Sequence, residues 1–267
     1  MTDLHVSLWG EGGPRVLLVH GSMGWSEETF AMQSPLAERF RLELLDRRGM
    51  GSSPSVERVD FERDGADIAD ALSDGAHLVG HSYGAIGCLL AAARRPEAVR
   101  SLFVIEPPAF ALARGVTAVE ELVRRLRAVY PAPPDTDPDR FYADFCAAFG
   151  LERPDPGMLT PEDEHSIRAS MGERPSWEAE LPLAELAAAP YPKLVVSGNW
   201  DDTPPEAREL GGAAMNAVCD ALAEAIGSQR EVFPGAGHNP QLSVYAAFNE
   251  RLASFVDAAE ATSPAAR

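Results

Sequence analysis

The chain has 267 residues, of which 45% are hydrophobic and 24% charged, values typical of a globular protein with a sizeable core. Its 41 acidic and 23 basic residues give a formal net charge of −18, and no run of lysine or arginine offsets this excess. A surface this acidic repels a phosphate backbone, so we expect no nucleic-acid partner.

The cysteines and the N-terminal residues indicate in which cellular compartment the protein is expected. Cys88, Cys146 and Cys219 lie far apart without the spacing of metal ligands, and they predict reduced thiols in a cytoplasmic protein. We expect no metal site and no cofactor. The first residues lack the basic and apolar segments of a signal peptide, and no apolar run reaches membrane-spanning length, so we expect no membrane partner. The oligomeric state stays open.

The first part of the chain alternates apolar strands with helical stretches. Residues 4–9 alternate weakly before a glycine-rich turn and predict an opening hairpin. Continuous apolar runs predict buried strands over 15–20 and 42–46, as in a sheet covered on both faces. Helices are predicted over 27–40 and 64–72.

The most informative stretch follows, where the apolar strand 77–79 leads into Gly80-His81-Ser82-Tyr83-Gly84 and then an Ala/Leu-rich helix. Small neighbours let the backbone turn sharply between strand and helix, and this turn, which we name the elbow, lifts Ser82 Oγ clear of the sheet. It also directs the Tyr83 N–H toward the place where an oxyanion would form. We therefore interpret Ser82 as a nucleophile rather than as a serine in an ordinary glycine turn.

After a further strand over 101–106, the alternation of strands and helices stops. Residues 107–192 contain three stretches of helical apolar spacing, rich in aromatic residues and without a strand pattern. This predicts a helical lid over 109–190, inserted into a core domain formed by 1–108 and 191–267. Such a lid supplies the apolar walls of a pocket.

The strand pattern resumes beyond the predicted lid. Strands are predicted over 193–198 and 230–233, with a helix over 206–226 between them and another helix closing the chain. Alternating strands and helices of this kind predict an α/β fold with a mostly parallel sheet.

The loops after three of these strands carry Ser82, Asp201 and His238. In a parallel sheet such loops gather at one edge, where ligands bind. A serine hydroxyl needs an imidazole to take its proton, and a carboxylate to orient that imidazole and stabilise its cation. The loop Gly21-Ser22-Met23 supplies a second oxyanion donor, the Ser22 N–H, beside the Tyr83 N–H.

At this point the chain resembles the α/β-hydrolase superfamily over almost its whole length. The resemblance is carried by His20-Gly21-Ser22-Met23-Gly24, Asp46-Arg47-Arg48-Gly49-Met50-Gly51-Ser52, Gly80-His81-Ser82-Tyr83-Gly84, Gly198-Asn199-Trp200-Asp201 and Gly235-Ala236-Gly237-His238. It implies a sheet of roughly eight strands flanked by helices, with the inserted helical lid. It also implies Ser82 as nucleophile, His238 as base and Asp201 as orienting acid.

Other residues compete for the acid and pocket roles. Asp202 neighbours Asp201, but the Gly-x-x-Asp spacing from Gly198 favours Asp201. Glu106 ends the strand after the elbow helix, where some haloalkane dehalogenase relatives carry their acid. Glu106 therefore stays an alternative acid or a polar group of the pocket, and Met23 is a further pocket candidate.

A serine nucleophile excludes the routes of this superfamily that use an aspartate nucleophile and leaves acyl transfer. We predict hydrolysis of a carboxylic ester, or a related lactone or thioester, on a small apolar acyl substrate through an acyl-enzyme. One alternative is a cofactor-free hydrolase of carbon–carbon bonds or a tailoring enzyme of natural products. A hydrolase-like binding protein is the least favoured interpretation.

Overall fold

The computed structural model describes residues 3–133, 135–153 and 159–262. Seven described strands form one sheet: β1 (Val6–Trp9), β2 (Arg15–Val19), β3 (Arg41–Leu45), β4 (Ala76–His81), β5 (Val99–Ile105), β6 (Lys193–Gly198) and β7 (Gln229–Phe233). Their order across the sheet is β1-β3-β2-β4-β5-β6-β7, and every neighbouring pair is parallel except β1 with β3. The predicted α/β fold with a mostly parallel sheet is confirmed, with seven described strands where roughly eight were predicted.

Helices cover both faces of this sheet. They are α1 (Ser26–Thr29), α2 (Phe61–Ala71), α3 (Ser82–Arg94), α4 (Thr117–Val129), α5 (Pro138–Ala148), α6 (Pro161–Met171), α7 (Leu183–Ala188), α8 (Pro205–Ala207), α9 (Ala213–Ile226), α10 (Pro240–Ser243) and α11 (Tyr245–Thr262). A π-helical turn, Arg208–Gly212, joins α8 to α9. Within the described residues, no helix combines the length and the apolar character that crossing a membrane requires.

Two local predictions near the N-terminus are wrong. The opening segment forms no hairpin with β2, because β1 pairs antiparallel with β3 at the edge of the sheet. The helix predicted over 27–40 is the short α1 followed by a 3₁₀ helix, Ala31–Glu38, that contains Pro35. Proline has no N–H and its ring clashes with the preceding turn, so a continuous α-helix is disfavoured there.

The helix that leaves the elbow, α3, packs between the sheet and α2, and its side chains are small because almost all of it is buried. Glycines allow α2 and α3 to approach closely. A Cβ on Gly87 would lie 2.8 Å from Ile68 Cδ1, and one on Gly65 would lie 2.8 Å from Leu90 Cβ. The opposite face of the sheet packs on α11, where Phe248 and other aromatic residues are buried. These two cores fix the sheet edge from which the site loops emerge.

The segment between β5 and β6 carries four described helices, α4 to α7, and we name it the inserted segment. Its apolar residues form a separate buried cluster with α9, and this cluster includes Leu122, Leu126 and Trp200. Aromatic rings contact one another within it, with 5.2 Å between the centroids of Phe145 and Phe149. The inserted segment therefore lies beside the sheet edge at which Trp200 follows β6. The predicted domain boundaries at residues 109 and 190 stay a prediction.

Candidate active site

Ser82 begins α3 directly after β4 with a left-handed backbone, φ 51°. This conformation is strained for a residue with a side chain, and strained backbone clusters at functional sites. The flanking glycines are required by space. A Cβ on Gly84 would lie 2.1 Å from the His20 carbonyl oxygen, and one on Gly80 would lie 2.7 Å from Cys88 Sγ. The structure therefore has the sharp strand-to-helix turn that the sequence predicts.

His238 lies in the loop after β7 and bridges two of the predicted site residues. Its Nε2 lies 2.9 Å from Ser82 Oγ, and its Nδ1 lies 2.6 Å from Glu106 Oε2. A carboxylate only accepts hydrogen bonds in its ionised form, so Nδ1 carries the proton and Nε2 accepts from the serine hydroxyl. This tautomer leaves Nε2 able to take the hydroxyl proton.

Glu106 directly follows β5, is fully buried, and has a left-handed backbone, φ 43°. Besides His238, its carboxylate accepts hydrogen bonds from the Gly198 N–H and from the indole N–H of Trp200, both at 2.9 Å to Oε1. Three donors converge on one buried carboxylate. They fix its orientation and offset the loss of hydration.

The predicted position of the acid requires a correction. Asp201 is exposed, and its carboxylate accepts a hydrogen bond from Asn199 Nδ2 at 2.7 Å. In the described part of the chain, the carboxylate that contacts the His238 ring is that of Glu106. The physical reason is the turn after β6, where Trp200 adopts φ 61° and directs its indole inward, so that the next side chain, Asp201, points to solvent. Asp202, the other predicted candidate, is exposed as well.

The two residues that carry the predicted oxyanion donors, Ser22 and Tyr83, lie near Ser82. The Tyr83 N–H belongs to the first turn of α3, where N–H groups lack a helical acceptor. Gly21 brings the other loop close, since a Cβ on it would lie 2.7 Å from Ser82 Cβ. Ser22, Ser82 and Tyr83 all line one pocket. Met23 is not among the residues that line it, so the suggestion that Met23 is a pocket residue is not supported by this geometry.

The pocket over Ser82 is narrow and mostly apolar. The space between its lining atoms, including the mouth, measures about 440 Å³. The apolar wall comes mainly from the inserted segment and α9, and consists of Pro108, Phe110, Leu126, Tyr130, Phe145, Phe149, Pro175, Trp177 and Met215. The polar lining consists of Ser22, Ser82, Tyr83, Glu173, Arg174, Ser176 and His238. The walls of the pocket are therefore apolar, and the polar groups share the pocket with the serine.

A buried ion-pair network lies against the polar wall. The fully buried Arg47 pairs with Asp64 at 2.8 Å and with Glu173 at 2.9 Å, and it donates to the Gly21 carbonyl at 2.9 Å. Burial raises the pKa of the Glu173 carboxyl, whereas the Arg47 guanidinium opposes this shift. In the described residues, no three histidine, cysteine, aspartate or glutamate side chains are grouped so that they could hold a metal ion.

Two buried histidines, His81 and His20, contact the backbone of the loops that carry the site. His81 Nε2 lies 3.1 Å from the His238 carbonyl oxygen, and burial holds the pKa of His81 well below its ordinary value. His20 Nδ1 donates to the Gly21 carbonyl, while its Nε2 accepts from the Arg47 N–H at 3.0 Å. Burial, together with Arg47, lowers the pKa of His20 to about 3. Both rings are therefore neutral supports of the loops that carry the site.

The neutral state of His20 predicts a pH-dependent stability. In the unfolded chain this histidine takes up a proton below its ordinary pKa of 6.5, whereas folded His20 stays neutral down to about 3. This stabilising contribution is therefore complete well above pH 6.5 and is lost as the pH falls through that value. We expect the loss of stability to amount to about 2 kcal/mol between pH 6.5 and about pH 4.5.

The free energy of unfolding in urea, measured at both pH values for wild type and His20→Asn, checks this prediction. The variant should lose less stability on acidification, since the other titrating groups are shared by both proteins. Equal losses in the two proteins would contradict a neutral buried His20.

Sequence reasoning missed the contacts that Trp200 and Glu173 make at this site. Trp200 belongs to a motif that the sequence singled out, but the inward direction of its indole depends on one backbone angle. Glu173 lies in the turn after an ordinary helical stretch, with no local pattern that distinguishes it. A glutamate directly after the apolar strand and before Pro107 was the available signal for Glu106.

Comparison with known proteins relates this chain to a known family. The model of the alpha/beta hydrolase family matches residues 16–251. Lipase LipV of Mycobacterium tuberculosis is 31% identical over 186 residues, covering 67% of this chain and 68% of the lipase. The 2-hydroxymuconate semialdehyde hydrolase of Pseudomonas sp. (strain CF600) is 28% identical over 97% of this chain and 92% of its own length.

Other curated relatives are matched over less than half of their own length. Among solved structures, MenH from S. aureus superposes with a TM-score of 0.71 over 97% of this chain and all of the other, at 14% identity, which shows a shared fold. Because the family model covers most of the chain, the protein belongs to the α/β-hydrolase family.

Proposed function

We propose that the protein is a serine hydrolase of carboxylic esters, in which Ser82, His238 and Glu106 form the catalytic triad. The observation that carries this proposal is the continuous chain of hydrogen bonds from Ser82 Oγ through the His238 ring to Glu106, at 2.9 and 2.6 Å. The similarity of this chain to Lipase LipV, which is 31% identical over 67% of the chain, also supports the proposal of an ester substrate.

The chemistry follows from the roles of these three groups. Ser82 Oγ attacks the ester carbonyl while His238 Nε2 takes its proton, and the buried Glu106 carboxylate stabilises the imidazolium that forms. The tetrahedral oxyanion accepts hydrogen bonds from the Ser22 and Tyr83 N–H groups. His238 then returns the proton to the leaving alcohol, and the acyl group remains on Ser82. Water activated by His238 hydrolyses this acyl-enzyme and restores the hydroxyl.

The pocket favours a neutral substrate with an apolar acyl chain. Its walls carry several aromatic rings, including those of Phe145 and Trp177. Its polar end presents the buried Glu173, which shares one guanidinium with Asp64. Two carboxylates against one cation disfavour an anionic group at this end. The guanidinium of Arg174 faces Glu178 and the ring of Phe61, so it is already engaged. Lactones and thioesters with an apolar chain suit the same walls.

A second candidate is hydrolysis of a carbon–carbon bond. The 2-hydroxymuconate semialdehyde hydrolase aligns with almost the whole chain, and some homologues hydrolyse such bonds. The triad and the oxyanion donors would serve that reaction as well. The carboxylate at the polar end of the pocket argues against it for substrates that carry a free carboxylate.

Steady-state hydrolysis of p-nitrophenyl esters with acyl chains of two to twelve carbons tests the proposed function. We expect turnover by wild type, with kcat/KM rising from the acetyl ester to chains of intermediate length, and no measurable turnover by Ser82→Ala. The chain length at the maximum reports the depth of the apolar pocket.

Two outcomes of this experiment would overturn the ester hydrolase. The first is turnover of 2-hydroxymuconate semialdehyde, followed by its absorbance, without turnover of any ester. The second is tight binding of the esters by wild type with neither turnover nor an acyl-enzyme mass, which would indicate a binding protein.

A further inference from the structure

The two residues that supply the proposed oxyanion donors are tied by their side chains to two consecutive residues of the inserted segment. The Ser22 hydroxyl donates to Glu173 Oε2 at 2.5 Å. The Tyr83 hydroxyl donates to the Arg174 carbonyl oxygen at 2.8 Å. One short piece of chain therefore contacts both sides of the oxyanion hole.

A third bond from the same piece of chain holds the loop beside Ser22. The Met23 N–H donates to Ser170 Oγ at 2.8 Å, and this hydroxyl in turn donates to the Ser166 carbonyl at 2.9 Å. Ser170 is fully buried, at the end of α6. Met23 adopts φ 69°, a strained conformation that persists only when neighbouring contacts maintain it.

The 170–174 segment is itself anchored to the core. The Arg174 N–H donates to the Val59 carbonyl at 2.8 Å. Arg47, fully buried, joins Glu173 to the Gly21 carbonyl, and its guanidinium lies 4.5 Å from the centre of the Tyr83 ring. Glu173, the oxyanion loop and the elbow thus share one buried cation.

We propose that the 170–174 segment positions the oxyanion hole, with Glu173 and Ser170 as positioning residues that fix the separation of the Ser22 and Tyr83 N–H groups. This inference rests on the proposed function, since it assumes that those N–H groups receive an oxyanion. Such donors are effective only when held about 2.7–3.1 Å from the developing charge. The inserted segment thereby acts on the rate of the chemical step as well as on the shape of the pocket.

The inference predicts a loss of kcat with little change in KM. Glu173→Gln keeps the size of the side chain but removes the charge that binds Arg47, and Ser170→Ala removes the acceptor for the Met23 N–H. We expect each to lower kcat by about 10- to 100-fold, the cost of a misplaced catalytic group. Tyr83→Phe removes a single hydroxyl and tests the other side of the hole if Glu173→Gln fails to fold.

The matched control is Glu164→Gln. Glu164 lies on α6 shortly before the segment, is exposed, and forms a surface ion pair with Arg168. Because exposed pairs contribute little, this variant should retain wild-type kcat and KM.

Two readouts separate positioning from a merely structural role. The affinity for an alkyl trifluoromethyl ketone, whose hemiketal oxyanion occupies the hole, should fall by the same factor as kcat/KM in each variant. In a Ser22→Ala background, Glu173→Gln should cause a smaller loss than in wild type, because the link through the Ser22 hydroxyl is already absent while the link through Arg47 remains.

Folded Glu173→Gln and Ser170→Ala proteins with kcat within twofold of wild type would overturn the inference. Unchanged affinity for the ketone in variants that lose activity would also overturn it. Either result leaves the ester hydrolase intact, whereas a wild type without ester turnover rejects the proposed function itself.

Discussion

Replacement of Glu106 with glutamine is expected to lower kcat for ester hydrolysis by about 10⁴-fold, with the fold retained. The amide is neutral, so it no longer stabilises the imidazolium, and its NH₂ group can face His238 Nδ1 and favour the wrong tautomer. The carbonyl oxygen of the introduced amide can still accept a hydrogen bond from the Trp200 indole or the Gly198 N–H. Steady-state kinetics with p-nitrophenyl butyrate, together with the melting temperature of each protein, checks this expectation.

Asp201→Asn is the matched control, because it makes the same chemical change on the carboxylate that the sequence favoured. Asp201 is exposed and bonded to Asn199, so the variant should keep kcat and KM close to wild type. A large loss in Asp201→Asn with little loss in Glu106→Gln would reverse the assignment of the acid.

The second large effect is expected at the other two members of the triad. Ser82→Ala and His238→Ala should each lower kcat by about 10⁶-fold, and the double variant should be no slower than either single variant. The reason is that nucleophile and base act as one unit, so removing either one abolishes the covalent route. Single-turnover assays at high enzyme concentration measure the residual rates.

Additive losses would contradict this account, because they would mean that Ser82 and His238 contribute independently. A His238→Ala protein that still forms an acyl-enzyme at the wild-type rate would exclude His238 as the base. Tyr245→Phe, which changes an exposed residue of α11, serves as a variant expected to behave as wild type.

The elbow around Ser82 and the loop that carries His238 could be predicted from the sequence because each is set by local constraints. Gly80 and Gly84 are needed where a Cβ would clash within 3 Å, and such glycines around a serine are visible in any sequence. The buried strands are visible for the same reason, since a strand covered on both faces reads as a continuous apolar run. The edge strand β1 and the region of Pro35 lack so clear a pattern, and both were predicted wrongly.

The acid could not be predicted with the same certainty. The choice between Asp201 and Glu106 depends on whether the turn after β6 directs Trp200 or Asp201 inward, and this depends on the positive φ of Trp200. Because neighbouring side chains in one turn point to opposite sides, the inward indole of Trp200 leaves the Asp201 carboxylate exposed, and Glu106 is the acid beside His238. In the sequence, Glu106 is an alternative only because it ends a central strand.

The contacts of the 170–174 segment lie beyond any sequence pattern. Glu173 meets Arg47 across 126 residues and Ser22 across 151 residues, and both contacts require the inserted segment to be packed on the core. Local periodicity identifies α6 as a helix, but the position of its end against the oxyanion loop follows from tertiary packing alone.

We propose that Ser82 is activated by His238, and that Glu106 rather than Asp201 holds His238 in place. The rate of labelling by a fluorophosphonate, followed by the mass of the intact protein, tests it most directly. We expect one adduct on Ser82 in wild type and in Asp201→Asn at equal rates, no adduct in Ser82→Ala, and labelling at least about 100-fold slower in Glu106→Gln. Rapid labelling of Glu106→Gln with slow labelling of Asp201→Asn, or an adduct that persists in Ser82→Ala, would contradict the claim.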